Sequence, residues 1–154
     1  MRYASSLIAV SDLERSKRLY QEVLGQKITL DIGWNVNFAN GFSIQLNFDQ
    51  LVSFDKSTIK WESHNFELYF EEDDFDGLLE RLKGLNIEYV HPPRKYDWQQ
   101  RVVRIYDPDR HIIEIGESMA MIVRRYLNQE LSIEETAQVI QHPVEAVAAW
   151  AQEK

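Results

Sequence analysis

One design occurs twice in this chain, and that repetition constrains the fold more than any other feature. S-S-L-I-A-V-S-D (5–12) runs into L-E-R-S-K-R-L-Y-Q-E-V-L-G (13–25), and E-L-Y-F-E-E-D-D (67–74) runs into F-D-G-L-L-E-R-L-K-G (75–84). In each copy seven positions separate the first strand residue from an aspartate, Asp12 or Asp74, able to cap the helix that follows. Downstream, F-S-I-Q-L (42–46) corresponds to H-I-I-E-I (111–115), so that Gln45 matches Glu114 and Ser5 matches Glu67. Each half therefore reads strand, helix, strand, strand, strand, and an internal repeat of this length makes the supersecondary unit the first thing to assign.

The most telling single stretch is W-Q-Q-R-V-V-R-I-Y-D-P-D-R-H-I-I-E-I-G-E (98–117), a strand, a tight turn at Asp-Pro-Asp, and a returning strand. The two-residue strand period sends Val103, Ile105, Ile113 and Ile115 to one face and leaves Arg104 and Glu114 on the other. A carboxylate directed from mid-strand away from the core belongs to a solvated face, or else meets a metal or a ligand.

These three segments, 7–25, 73–82 and 98–115, resemble the vicinal oxygen chelate superfamily, the glyoxalase, bleomycin-resistance and extradiol-dioxygenase group. The resemblance covers residues 1–117 and implies an α+β fold of two paired βαβββ modules, about 1–48 and 65–117, forming a curled mixed-sheet cup. It also implies up to four ligand positions on the concave face, which here carry Ser5, Gln45, Glu67 and Glu114. Fold alone does not assign activity, because one architecture hosts many chemistries.

Composition narrows the partners. Seventeen basic against 25 acidic residues leave a net charge of −8, which disfavours nucleic acid, whose phosphates require clustered Lys and Arg. There are no cysteines, so disulfides, thiolate metal sites and cysteine nucleophiles are excluded. The beginning M-R-Y-A-S-S lacks a signal-peptide pattern, and no apolar run is long enough to span a membrane. A cytoplasmic protein with a small-molecule ligand, and neither a nucleic-acid nor a membrane partner, is the expectation.

Gln45, Glu67 and Glu114 together form an oxygen-rich set suited to a divalent ion such as Ni, Zn, Mn or Mg. Ser5 stands where many metal-using relatives have histidine or glutamine, and serine is a weak neutral ligand. None of the four histidines, His64, His91, His111 and His142, occupies a matched position, and each reads as a surface or turn residue. That removes the two-histidine, one-carboxylate set of an extradiol dioxygenase. Two functions stay open. In the first, a bound metal acts as a Lewis acid, Glu114 or Glu67 moves a proton, and the protein is a glyoxalase-like lyase or isomerase. In the second, the close carboxylates pair with Arg101, Arg104 or a cationic ligand, and the protein is a metal-free drug- or toxin-binding protein of the bleomycin-resistance type.

Trp98 is the expected ligand-facing aromatic, at a position followed in many relatives by glycine where this chain has Gln99. Tyr69 should share the face of Glu67, Asn47 that of Gln45, and Arg104 and Ser5 complete the substrate-binding set. Residues 49–64 join the modules and are long for a turn, so that Phe54 and Trp61 are candidates for groups over the rim. Residues 118–154 lie beyond the resemblance and read as three helices: Met121, Ile122, Tyr126 and Leu127 stripe the first, S-I-E-E (132–135) is a capping box for the second, and Pro143 opens the third. The run 132–151 is similar to a helix-turn-helix, but three basic against five acidic residues over 118–154 make contact with DNA unfavourable. A helical extension that packs on the cup or mediates a homodimer fits better.

Overall fold

The computed structural model describes residues 1–153; Lys154 lies outside the described residues. The fold is α+β, with two four-stranded mixed sheets. The chain divides into two compact units, Met1–Phe66 with the turn Tyr106–His111, and Glu67–Ile105 with the chain from Ile112 onward.

In the first unit β1 (Ser6–Val10) is followed by α1 (Leu13–Lys17), which widens into a π-helical stretch, Arg18–Val23. The expected cap is present: the Asp12 carboxylate accepts from the Arg15 amide at 2.9 Å. Gly25, with φ +65°, lets the chain leave the helix in the left-handed region that a side chain would oppose. β2 (Ile28–Asp31), β3 (Asn35–Phe38) and β4 (Phe42–Leu46) complete the sheet in the order β1-β4-β3-β2, with β1 and β4 parallel. Tyr20, Phe38 and Phe42 meet as a buried aromatic trio with ring centroids 4.5–5.7 Å apart. The joining segment is not plain loop: it holds α2 (Phe48–Val52) and a 3₁₀ turn at Lys56–Thr58.

The second unit repeats the plan with β5 (Glu67–Glu72), α3 (Phe75–Lys83), β6 (Tyr89–Lys95), β7 (Arg101–Tyr106) and β8 (Ile112–Glu117), in sheet order β5-β8-β7-β6. Asp74 caps α3 through the Gly77 amide at 3.0 Å. β6 lies at the sheet edge, where Pro92 and Pro93 need no ladder donor, and its register with β7 slips across them. Val103, Ile105, Ile113 and Ile115 are buried as their alternation requires, and Arg101, on the same face, lies 5.1 Å over the Phe75 ring of α3.

The extension forms α4 (Met119–Leu127), α5 (Ile133–Ile140) and α6 (Val144–Trp150). Ser132 and Glu135 make the capping box reciprocally, and Pro143 sits at the N-cap of α6. The three helices bury Met119, Ile122, Val123, Ala137, Ile140 and Val147 in a core of their own. They are fastened to the second sheet by Ser118, whose hydroxyl donates to Asp73 at 2.5 Å, and by the ion pairs of the buried Glu117 with Arg101 and Arg125. Among the described residues no helix is long and apolar enough to cross a membrane.

The Asp-Pro-Asp turn is a buried polar junction of the first unit. Asp107 accepts from the Tyr20 hydroxyl (2.9 Å), His111 Nδ1 (2.8 Å) and the amides of Asp109 and His111 (2.9 and 2.8 Å). Asp109 in turn accepts from the Ser11 amide at 2.9 Å and from its hydroxyl. Burial works to lower the His111 pKa, but the hydrogen bond and charge of Asp107 outweigh it and raise the value above 6.5. A histidine raised in the folded state adds stability that is complete below its unfolded pKa and is lost as pH rises through the folded one. The difference in melting temperature between wild type and His111→Gln should therefore be largest at mildly acid pH and shrink on going alkaline; a gap that widens with pH would contradict the pairing.

Candidate functional site

The candidate residues fall in both units. In the second, Glu67, Tyr69 and Glu71 on β5 share a face with Glu114 and Gly116 on β8, because the parallel register sets Glu67 opposite Ile112, Tyr69 opposite Glu114 and Glu71 opposite Gly116. β7 contributes Val102 and Arg104, with Gln100 just before its first residue. Burial distinguishes this from an ordinary solvated face: Gln100, Val102 and Glu114 are all buried.

At its centre the Arg104 guanidinium lies on both carboxylates. Its Nε donates to Glu67 Oε2 at 2.9 Å, and its Nη2 forms an ion pair with Glu114. Nη1 donates to the Tyr96 hydroxyl at 2.7 Å and lies 3.2 Å from Nε2 of His91, the residue opposite Arg104 on β6. Partial burial works against the guanidinium's charge, but the bonds to Glu67 and Tyr96 more than compensate, and its pKa is raised. Between Arg101 and Arg104, then, only Arg104 reaches the carboxylates; Arg101, three residues earlier, points to the opposite face and pairs with Asp76 and Glu117.

Beside this cluster stands an aromatic wall. The Tyr96 and Trp98 rings stack with centroids 4.4 Å apart and planes 15° from parallel. Trp98 Nε1 donates to Gln100 Oε1 at 2.9 Å, and Gln100 Nε2 donates to the Tyr69 hydroxyl (2.8 Å) and to the Glu117 carbonyl (2.9 Å). Burial, offset in part by Gln100, pushes the Tyr69 pKa up to about 12, so its hydroxyl stays protonated and donates to Glu71. Gly116 permits this crossing: a Cβ there would stand 2.5 Å from Gln100 Nε2 and 3.1 Å from the Tyr69 ring.

Gln99 has φ +70°, which explains why glycine suits this position, and a side chain there costs on the order of 1 kcal/mol. Sequence reasoning singled out Trp98, Tyr69, Arg104, Glu67 and Glu114 but missed Tyr96, Gln100 and His91. The strand period from Arg104 back through Val102 to Gln100 was the available signal for one of them. His91 belongs to a strand rather than to a turn.

In the first unit Gln45 is buried on β4, its Oε1 accepting from Asn35 Nδ2 at 3.0 Å and its Nε2 donating to the Leu46 carbonyl at 2.7 Å. Its neighbour on β1 is Ala9. Ser5 precedes that strand and lies against Ser43 Oγ at 3.4 Å. The two modules therefore differ by two residues of slide: Tyr69 faces Glu114, so pairing makes Leu7, not Ser5, the counterpart of Glu67. Spacing from the helix cap ties a strand to its helix but leaves its register against the next strand free. Asn47 leaves the strand, taking φ +52° at the start of α2. Asn47, Lys56, Ile59 and Trp61 line a small cavity of about 100 Å³ over the ends of β1 and β4, while Phe54 is exposed.

The donor set does not fit a divalent ion in this arrangement. A metal on Glu67 and Glu114 would have to displace a guanidinium already paired with both. Among the described residues no three His, Cys, Asp or Glu side chains are grouped so as to hold a metal ion.

The repeated βαβββ units and this face define an α+β protein of the vicinal oxygen chelate type. Residues 3–120 match the glyoxalase-like domain family, and the chain belongs to that family. A structure of a protein of unknown function from Agrobacterium tumefaciens is 36% identical, with a TM-score of 0.68, covering 77% of this chain and 95% of that one. The uncharacterized protein YraH of Bacillus subtilis is 31% identical over 122 residues, which span 70% of this chain and 91% of YraH. The metallothiol transferase FosB of Lysinibacillus sphaericus is 26% identical over 109 residues, 70% of this chain and 76% of FosB.

Proposed function

We propose that this protein binds a small organic molecule without a metal, in the manner of the bleomycin-resistance branch of its family, on the face that carries Glu67, Arg104, Glu114 and the Tyr96–Trp98 wall. The observation that carries the reading is the placement of Arg104 on both carboxylates. That arrangement sets a positive charge beside the buried Glu114 without an ion, although Glu114 Oε2 makes no hydrogen bond. Arg104 spends its donors on Glu67, Glu114, Tyr96 and His91 and is a fixed strut rather than a hand for the ligand. Recognition falls instead to the stacked aromatic rings and to the acidic surroundings. Three carboxylates, Glu67, Glu71 and Glu114, against one guanidinium leave this face negative, which favours a planar molecule of positive or neutral charge. We take the protein to be cytoplasmic and homodimeric; the exposed Leu30, Ile32 and Trp34 of the β2–β3 hairpin support self-association, and sedimentation velocity tests it.

Protein purified without chelator or nickel affinity should carry no stoichiometric metal, and calorimetric titration with Mn²⁺, Ni²⁺ or Zn²⁺ should show no saturable heat at micromolar concentration. Stoichiometric binding of any of these ions by the wild type, weakened by Glu114→Gln, would move the assignment to the second reading. That reading is a metal-assisted lyase or isomerase, and the similarity to a protein named as a metallothiol transferase is the observation in its favour.

A further inference from the structure

The C-terminal extension is tied to the loop that carries the aromatic wall, at its most constrained residue. The loop closes through Gln99 N to Tyr96 O and Tyr96 N to Gln100 O, both 2.9 Å, and Gln99 at its tip holds φ +70° without being glycine. Its side chain is fixed at both ends. Nε2 donates to the Asp97 carbonyl at 2.9 Å, and Oε1 accepts from the Tyr126 hydroxyl of α4 at 3.0 Å.

Tyr126 is itself held from several directions. It packs on the core of the three helices, α4 starts at the Ser118 cap fastened to Asp73, and Arg125 next to it pairs with Glu117. The phenol is thus a rigid point, while the loop is a short strained segment with no core of its own. Strain persists where surrounding contacts over-determine it. Residue 126 also lies past the end of the family match at residue 120, so this support is an addition to the shared domain.

We propose that Tyr126 is a positioning residue: through Gln99 it fixes the Trp98 loop, so that the C-terminal helices set the affinity of the aromatic wall without touching the ligand. This rests on the binding function proposed above. The Trp98 ring reports on it through two links, the stack on Tyr96 and the bond to Gln100, and both originate in the loop that Gln99 closes.

The test compares Tyr126→Phe, which removes one hydroxyl, with Val147→Ala, which trims the helical core at α6 and keeps the Tyr126 hydroxyl. Near-UV circular dichroism of each, with and without the further change Trp98→Phe, isolates the band of Trp98. Tyr126→Phe should lose at least half of that band and raise amide exchange at residues 97–100 about tenfold, with its melting temperature nearly unchanged. Val147→Ala should lower the melting temperature and leave the band and the exchange as they are. A wild-type band and wild-type exchange in Tyr126→Phe, or an equal loss of both in Val147→Ala, would overturn the proposal. Thioflavin T, a planar cation, serves as the binding probe: its affinity should fall severalfold in Tyr126→Phe. If wild type binds no thioflavin T while the band and exchange respond as expected, the fault lies with the binding reading and not with the positioning role.

Discussion

Replacing Arg104 by methionine is expected to lower stability by about 3 kcal/mol, as removal of one partner from a buried charge pair does. The side chain is 22% exposed and those of Glu67 and Glu114 are 39% and 11%, so the loss falls mainly on Glu114, while Glu67 can turn to water. Tyr96 and His91 lose their shared contact at the same time. Chemical denaturation measures the deficit, and one companion result identifies its origin. Adding Glu114→Gln to Arg104→Met should recover more than half of the lost stability, because it is the uncompensated charge that costs. If Arg104 is what keeps ions off this face, the single variant should gain a weak affinity for Mn²⁺ that wild type lacks. An Arg104→Met protein as stable as wild type and unaltered toward Mn²⁺ would leave the guanidinium without the role given to it.

Much of this molecule is legible in its sequence where one physical rule acts locally. Asp12, Asp74 and Ser132 announce their helices because a capping side chain and the amides it satisfies lie within three residues. The alternation through Val103, Arg104 and Ile105 assigns their faces, and Arg101, of the same parity as Val103, could on that ground have been separated from Arg104. Register is different. The slide of β1 against β4 depends on contacts over some 36 residues of chain, so that Ser5, matched to Glu67 by its distance from the cap, lies two residues from the pairing counterpart. The grip of Tyr126 on Gln99 has no local signature either, since neither residue type at that separation points to the other. What the sequence did carry at that spot was an anomaly, a glutamine where glycine is common, and the left-handed backbone of Gln99 is its physical content.

The other large effect expected is at Asp107, in the turn between β7 and β8. Asp107→Ala should cost about 3–5 kcal/mol, because it strands a buried phenol, two backbone amides and an imidazole at once. The Tyr20 hydroxyl has nowhere else to turn: the ring is fully buried among Phe38 and Phe42. Burial and the Asp107 charge hold its pKa well above the usual 10, so it remains a donor in need of an acceptor. Asp107→Asn should cost less, about 1–2 kcal/mol, since the amide oxygen keeps the two backbone donors while the hydroxyl and the imidazole can each reverse to accept from its NH₂. The asparagine variant should differ in a second way. With the Asp107 charge gone, His111 keeps only the weaker pull of Asp109, so most of the stability that wild type sheds with rising pH should be missing. Urea unfolding of both variants across the neutral range measures the two effects together. Equal losses in the alanine and asparagine proteins, with the wild-type pH dependence intact in each, would mean that the carboxylate fills space in this turn and that its charge and hydrogen bonds do not organise it.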